Sequence, residues 1–149
     1  MRTLSRWLLA ASVTLSSMGA YAADVTIKAV GVKYDPAIVE VGTGDQISWT
    51  NMASHNVETL QGLVPEGTKK INTKVGDDVS LKFDKPGIYV YKCTPHWGSR
   101  MGGILIVGQP EDAMKTAEAY LEKIEKEKGD LLPAKGLVKD LIEHLKGSS

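Results

Sequence analysis

The sequence predicts a mainly β domain, an antiparallel sandwich or barrel, followed by two α-helices. Three features point there. Short segments of alternating apolar and polar residues recur between Asp24 and Gly108, and clusters of Gly, Pro and Asp separate them. After Gln109-Pro110 the composition shifts to Ala, Glu and Lys, with apolar residues at helical spacing.

Residues 1–22 precede the domain. Arg2 and Arg6 flank the start of an apolar run from Trp7 to Leu15, and small residues at Ala20-Tyr21-Ala22 follow. That order is the signature of a secretory signal peptide cleaved after Ala22, and the run falls short of the roughly 20 residues a bilayer span needs. The expected product is an exported chain of 127 residues with no membrane span, long enough for one domain with its own core.

The strands follow in order. DVTIKAV (24–30) sets Val25, Ile27 and Ala29 against Thr26, Lys28 and Val30. AIVEV (37–41) runs into the turn Gly42-Thr43-Gly44-Asp45, and QISWT (46–50) leaves it. A further strand is expected to begin near His55, and Gln61 to Lys74 reads as loop with at most one short strand. DVSLKF (78–83) alternates cleanly, Asp84-Lys85-Pro86-Gly87 is a turn, and IYVYKC (88–93) ends at the only cysteine. GGILIV (102–107) is apolar on both faces. The sandwich domain is thus 23–109 and the helical extension 110–149. Helices are expected over 111–129, stopped by Gly129, and over 134–147 after Pro133, each packing an apolar stripe on the sandwich.

Charge excludes one class of function. The chain has 18 basic and 18 acidic residues, and the leader removes two of the basic ones, leaving the mature protein at −2. Nucleic-acid binding normally needs a basic excess. Export also makes a lone cysteine unusual, since oxidising compartments favour pairs. Cys93 is a buried inert thiol, an intermolecular bridge, a nucleophile or a metal ligand.

Its surroundings favour the last. In CTPHWGSRM (93–101) a thiol, the imidazole of His96 and the thioether of Met101 share one loop between two strands. Soft sulfur with imidazole suits copper, and a trigonal His₂Cys set with a weak axial Met is the blue-copper arrangement. That set needs another histidine. Of the two remaining, His55 lies near a strand end in WTNMASHNVET, whereas His144 sits on the terminal helix as a surface residue.

These residues resemble the pseudoazurins, type 1 copper proteins of the cupredoxin superfamily. The resemblance covers roughly 25–128 and rests on His55-Asn56, the Cys93, His96 and Met101 spacing, VPEGTKKINTKVGDDVSL and DKPGIYVYKCTPHW. The ligand pattern also fits plastocyanin, and the two helices favour pseudoazurin.

The resemblance implies an eight-stranded Greek-key sandwich with one copper ion at one end. It makes His55, Cys93 and His96 the equatorial ligands and Met101 the axial one, with Asn56 bridging the two ligand loops. Trp97 stands where the family often has Tyr, and Ser99-Arg100 where it often has Met, so Trp97 is expected beside the ligand His96 and Arg100 adds a positive charge there.

The implied function is one-electron transfer in the periplasm, by a monomer that is not an enzyme. Its partners would be redox proteins such as a nitrite reductase or a cytochrome, docking at the His96 face. Met52, Pro65 and Trp97 are expected to form an apolar docking patch, with Lys69, Lys70, Lys74 and Arg100 as a basic rim. A copper-trafficking protein is the alternative, disfavoured by the absence of a Met-rich tract. An oxidase or nitrite reductase would need more than the three histidines present.

Overall fold

The computed structural model describes residues 23–148, so the expected leader lies outside the described residues. The chain forms β1 (Asp24–Val30), β2 (Lys33–Asp35), β3 (Ile38–Val41), β4 (Gln46–Thr50), β5 (Glu58–Thr59), β6 (Val79–Lys82), β7 (Gly87–Lys92) and β8 (Gly102–Val107). Two helices follow, α1 (Ala113–Glu127) and α2 (Lys135–Gly147), joined by a 3-10 segment, Gly129–Ala134. Among the described residues no helix is long and apolar enough to cross a membrane.

The strands make two four-stranded sheets, ordered β2-β1-β4-β6 and β3-β8-β7-β5. The sheets are mixed, which corrects the antiparallel expectation: β1 runs parallel to β4, and β3 parallel to β8. Side-chain alternation reports which face a strand buries and says nothing of its neighbour's direction.

The second sheet is covered on both sides, which explains why β7 and β8 read as apolar throughout. Tyr89, Tyr91, Cys93, Leu105 and Val107 face the first sheet and pack with Ile27, Ile47 and Trp49. Ile88, Val90, Ile104 and Ile106 face the helices and pack with Ala117, Ile124, Val138 and Leu141. Each fully buried aliphatic side chain contributes about 1.5–3 kcal/mol, so the helical layer is integral to the fold. Tyr120 adds a polar tie, its hydroxyl donating to the Ile88 carbonyl at 3.0 Å.

Gly103 lies opposite Tyr91 in the β7–β8 ladder, and a Cβ there would enter the Tyr91 ring. The glycine leaves room for that aromatic beside β8. Two strands, β2 and β5, are too short to show alternation. Between Gln61 and Lys74 the chain makes one isolated bridge, Asn72 with Glu58, alongside Thr59 N–H to Ile71 O and Thr73 N–H to Val57 O, both at 2.9 Å.

Candidate metal centre

Cys93 follows the last residue of β7, and the loop after it doubles back on itself. Thr94–Ser99 form a 3-10 turn with Pro95 in its first positions, where a missing N–H costs nothing. His96 departs from helical geometry, and Arg100 takes the left-handed conformation with φ 62°, which ends the turn. The backbone N–H of Cys93 then donates to Met101 O at 2.8 Å, and that of Met101 to His96 O at 3.3 Å. The C-x-x-H-x-x-x-x-M spacing therefore closes a loop whose two ends are hydrogen-bonded together.

His55 comes from a second loop, and not from a strand as expected. Its N–H donates to Met52 O at 2.9 Å, and its carbonyl accepts from Gly76 at 3.1 Å. Asp78 anchors the start of that turn by accepting the Met52 N–H at 3.0 Å.

The two loops bring three donors to one point. Cys93 Sγ lies 3.6 Å from His55 Nδ1 and 3.5 Å from His96 Nδ1. The ligand atoms of all three residues lie within 4.8 Å of one another, and the imidazole centroids are 4.7 Å apart. Donors bonded to one metal at about 2.0–2.3 Å, spread trigonally, would stand roughly 3.6 Å from each other. The sulfur-to-nitrogen spacings fit that set. Cys93 and Met101 are buried, His55 is 7% exposed and His96 is half-buried. Burial, and then the neighbouring His96, holds the His55 imidazole below its ordinary value, in the neutral form a metal ligand needs.

Asn56 joins the loops. Its Oδ1 accepts the Thr94 N–H at 2.8 Å, and its Nδ2 donates to Thr94 Oγ1 and to Asn72 Oδ1, each at 3.1 Å. Two residues absent from the sequence reading complete this network. Tyr34 donates its hydroxyl to the Asn56 carbonyl, and Glu58 accepts the Thr94 hydroxyl at 2.6 Å. Burial first, then Cys93 and Tyr91, raises the Tyr34 phenol well above its ordinary 10.0, so it remains a neutral donor. Glu58 carried one signal: a carboxylate three residues beyond His55 in HNVE.

Trp97 packs into the helical layer. It is 8% exposed, packs in the cluster with Leu131, Ala134 and Val138, and donates its indole N–H to Asp130 O at 2.8 Å. The expected apolar docking patch is not there. Met52 and Trp97 are buried because both belong to cores, and Pro65 packs on Gly87, at the opposite end of β7 from Cys93. Val32 is exposed instead, and with Lys33, Arg100 and Met101 it lines a groove. Of the expected basic rim, Lys70 pairs with Glu58 at 2.7 Å and Lys74 lies 3.8 Å from Asp77. His144 is a surface residue, 2.7 Å from Glu40.

Comparison with known proteins agrees with this geometry. Residues 21–108 match the family model for copper binding proteins of the plastocyanin/azurin family. The pseudoazurin of Methylorubrum extorquens is 38% identical over 87 residues, 58% of this chain and 59% of that protein. The pseudoazurin of Paracoccus pantotrophus is 40% identical over 89 residues, 57% of this chain and 61% of that protein. The matches thus span about three-fifths of these relatives' own lengths. The crystal structure of pseudoazurin from Methylobacterium extorquens AM1 superposes with a TM-score of 0.67 at 28% identity, covering 82% of this chain and 98% of that one.

Proposed function

The chain belongs to the plastocyanin/azurin family of copper-binding proteins, and from that premise we propose that it carries single electrons between periplasmic redox proteins. His55, Cys93, His96 and Met101 hold its one copper ion. The observation that carries this reading is the Cys93 sulfur, buried and 3.5–3.6 Å from two imidazole nitrogens on separate loops.

Bound there, copper supplies a one-electron couple between Cu(II) and Cu(I). The protein's part is to hold the donors still. Cys93 and Met101 are fixed by their mutual backbone hydrogen bond, and Asn56 locks the His55 loop to Thr94. A site held this way offers both oxidation states the same donors, which keeps the rearrangement on electron transfer small. The buried thiol and thioether exclude water from their side of the site.

His96 is the half-buried ligand and serves as the electron port. The docking face is assigned to the groove lined by Val32, Lys33 and Arg100, which reaches the ligand Met101. Electron hand-off uses small transient interfaces, where complementary charge mainly sets the on-rate. An acidic face on a nitrite reductase or a cytochrome suits those cations. The chain works as a monomer, and catalysis is left to the partner.

Voltammetry of the copper-loaded protein tests this. A reversible one-electron wave, with copper retained against a chelator, supports the carrier. Rapid loss of copper to the chelator with no wave would instead make the protein a copper donor.

A further inference from the structure

Glu58 is a carboxylate only 9% exposed, on a strand of two residues, and the electron-transfer reading gives it no role. One oxygen accepts from Lys70 Nζ at 2.7 Å and the other from Thr94 Oγ1 at 2.6 Å. Thr94 adjoins Cys93, and its hydroxyl oxygen also lies 3.1 Å from Asn56 Nδ2.

We propose that Glu58 is a positioning residue for the metal loop, setting the direction of the hydrogen bonds that join Glu58, Thr94 and Asn56. A hydroxyl has one proton to donate and lone pairs to accept with, and an ionised carboxylate can only accept. Beside Glu58 the Thr94 proton must therefore point at the carboxylate. The hydroxyl oxygen is then left to accept from Asn56, which must present its NH₂ there and its oxygen to the Thr94 N–H. The Thr94 N–H, which can only donate, asks for the same Asn56 orientation, so the carboxylate reinforces it through the hydroxyl, and Asn56 holds the Cys93 loop against the His55 loop. Lys70 and the cross-strand Lys92 stand on the carboxylate side as compensating cations. The inference rests on reading His55, Cys93, His96 and Met101 as the metal site.

The test uses Glu58→Gln, whose amide can turn either end toward Thr94, alone and combined with Thr94→Val. Copper release to a chelator is measured in each. Loss of a group that orients metal ligands typically costs 10–100-fold, and Glu58→Gln is expected to speed release about tenfold. In the Thr94→Val background the same change should add less than about twofold, since the path through the hydroxyl is already cut. In the metal-free protein, exchange of the Thr94 amide should quicken in Glu58→Gln. Equal effects of Glu58→Gln in both backgrounds, or a fall in unfolding midpoint with release and exchange unchanged, would make Glu58 merely structural and overturn the proposal.

A measurement on the unaltered chain guards against a variant that does not fold. The Thr94 hydroxyl proton is expected to show a nuclear Overhauser contact to the Glu58 side chain, and a proton pointing at Asn56 overturns the proposal. If the unaltered protein takes up no copper, the metal-site reading fails. If it does and Glu58→Gln behaves as the unaltered chain, only this inference fails.

Discussion

The indole N–H of Trp97 donates to the backbone carbonyl of Asp130 at 2.8 Å, tying the residue after His96 to the segment that joins the two helices. Lys92 completes the tie, with its ammonium 2.7 Å from the Asp130 carboxylate and 5.9 Å above the Trp97 ring. The extension thus grips the metal loop as well as covering the second sheet.

Replacing Trp97 by Phe keeps most of the packing and removes the donor. It should cost about 1 kcal/mol in denaturant unfolding, the net value of one hydrogen bond. Trp97→Ala also opens a cavity in the helical layer and should cost about 3–5 kcal/mol.

Asp130 is largely exposed, yet its loss should matter more than a surface position suggests. Asp130→Ala leaves the Lys92 ammonium, 9% exposed, without that partner. A buried donor left unsatisfied costs about 1–3 kcal/mol, and the unfolding midpoint should fall accordingly. A midpoint equal to that of the unaltered protein would mean that Lys92 finds another acceptor.

Glu58 gives a pH dependence with a definite sign. Burial pushes its carboxyl up, but hydrogen bonds from Lys70 and Thr94 and the charges of Lys92 and Lys70 outweigh burial and hold it below 4.5. A depressed folded value stabilises above the unfolded value and loses that stabilisation as pH falls through the folded one. The metal-free protein should therefore exceed Glu58→Gln in stability by a constant margin above about pH 5, narrowing steadily below pH 4.5. Thermal unfolding of both across that range checks it.

The two histidines outside the Cys93 loop should behave oppositely. His144→Ala removes a surface contact to Glu40 and should leave copper affinity unchanged. His55→Ala removes one of the three converging donors and should lower affinity by at least tenfold in chelator competition.

What the sequence disclosed depended on the range of each interaction. Alternation in β1, β4 and β6 was legible because each strand carries its own burial pattern. The apolar runs in β7 and β8 signalled burial on both faces, though only the packed helices show what covers the second face. The Cys93 loop was readable because its three donors sit within nine residues. The parallel pairings, the strand β2 and the burial of Met52 were not, since each depends on distant contacts, and the strand expected from His55 begins only at Glu58. Glu58 is the sharpest case: nothing local in the sequence pairs this glutamate with Thr94, 36 residues on, whose hydroxyl donates to it.

The central claim is that Cys93 is a copper ligand within a one-electron site, and the visible spectrum of the protein titrated with Cu(II) tests it most directly. The expected result is an intense thiolate-to-copper band that saturates at one copper per chain, bleaches with ascorbate and vanishes in Cys93→Ser. Copper binding without that band, or a band that survives Cys93→Ser, would contradict the assignment.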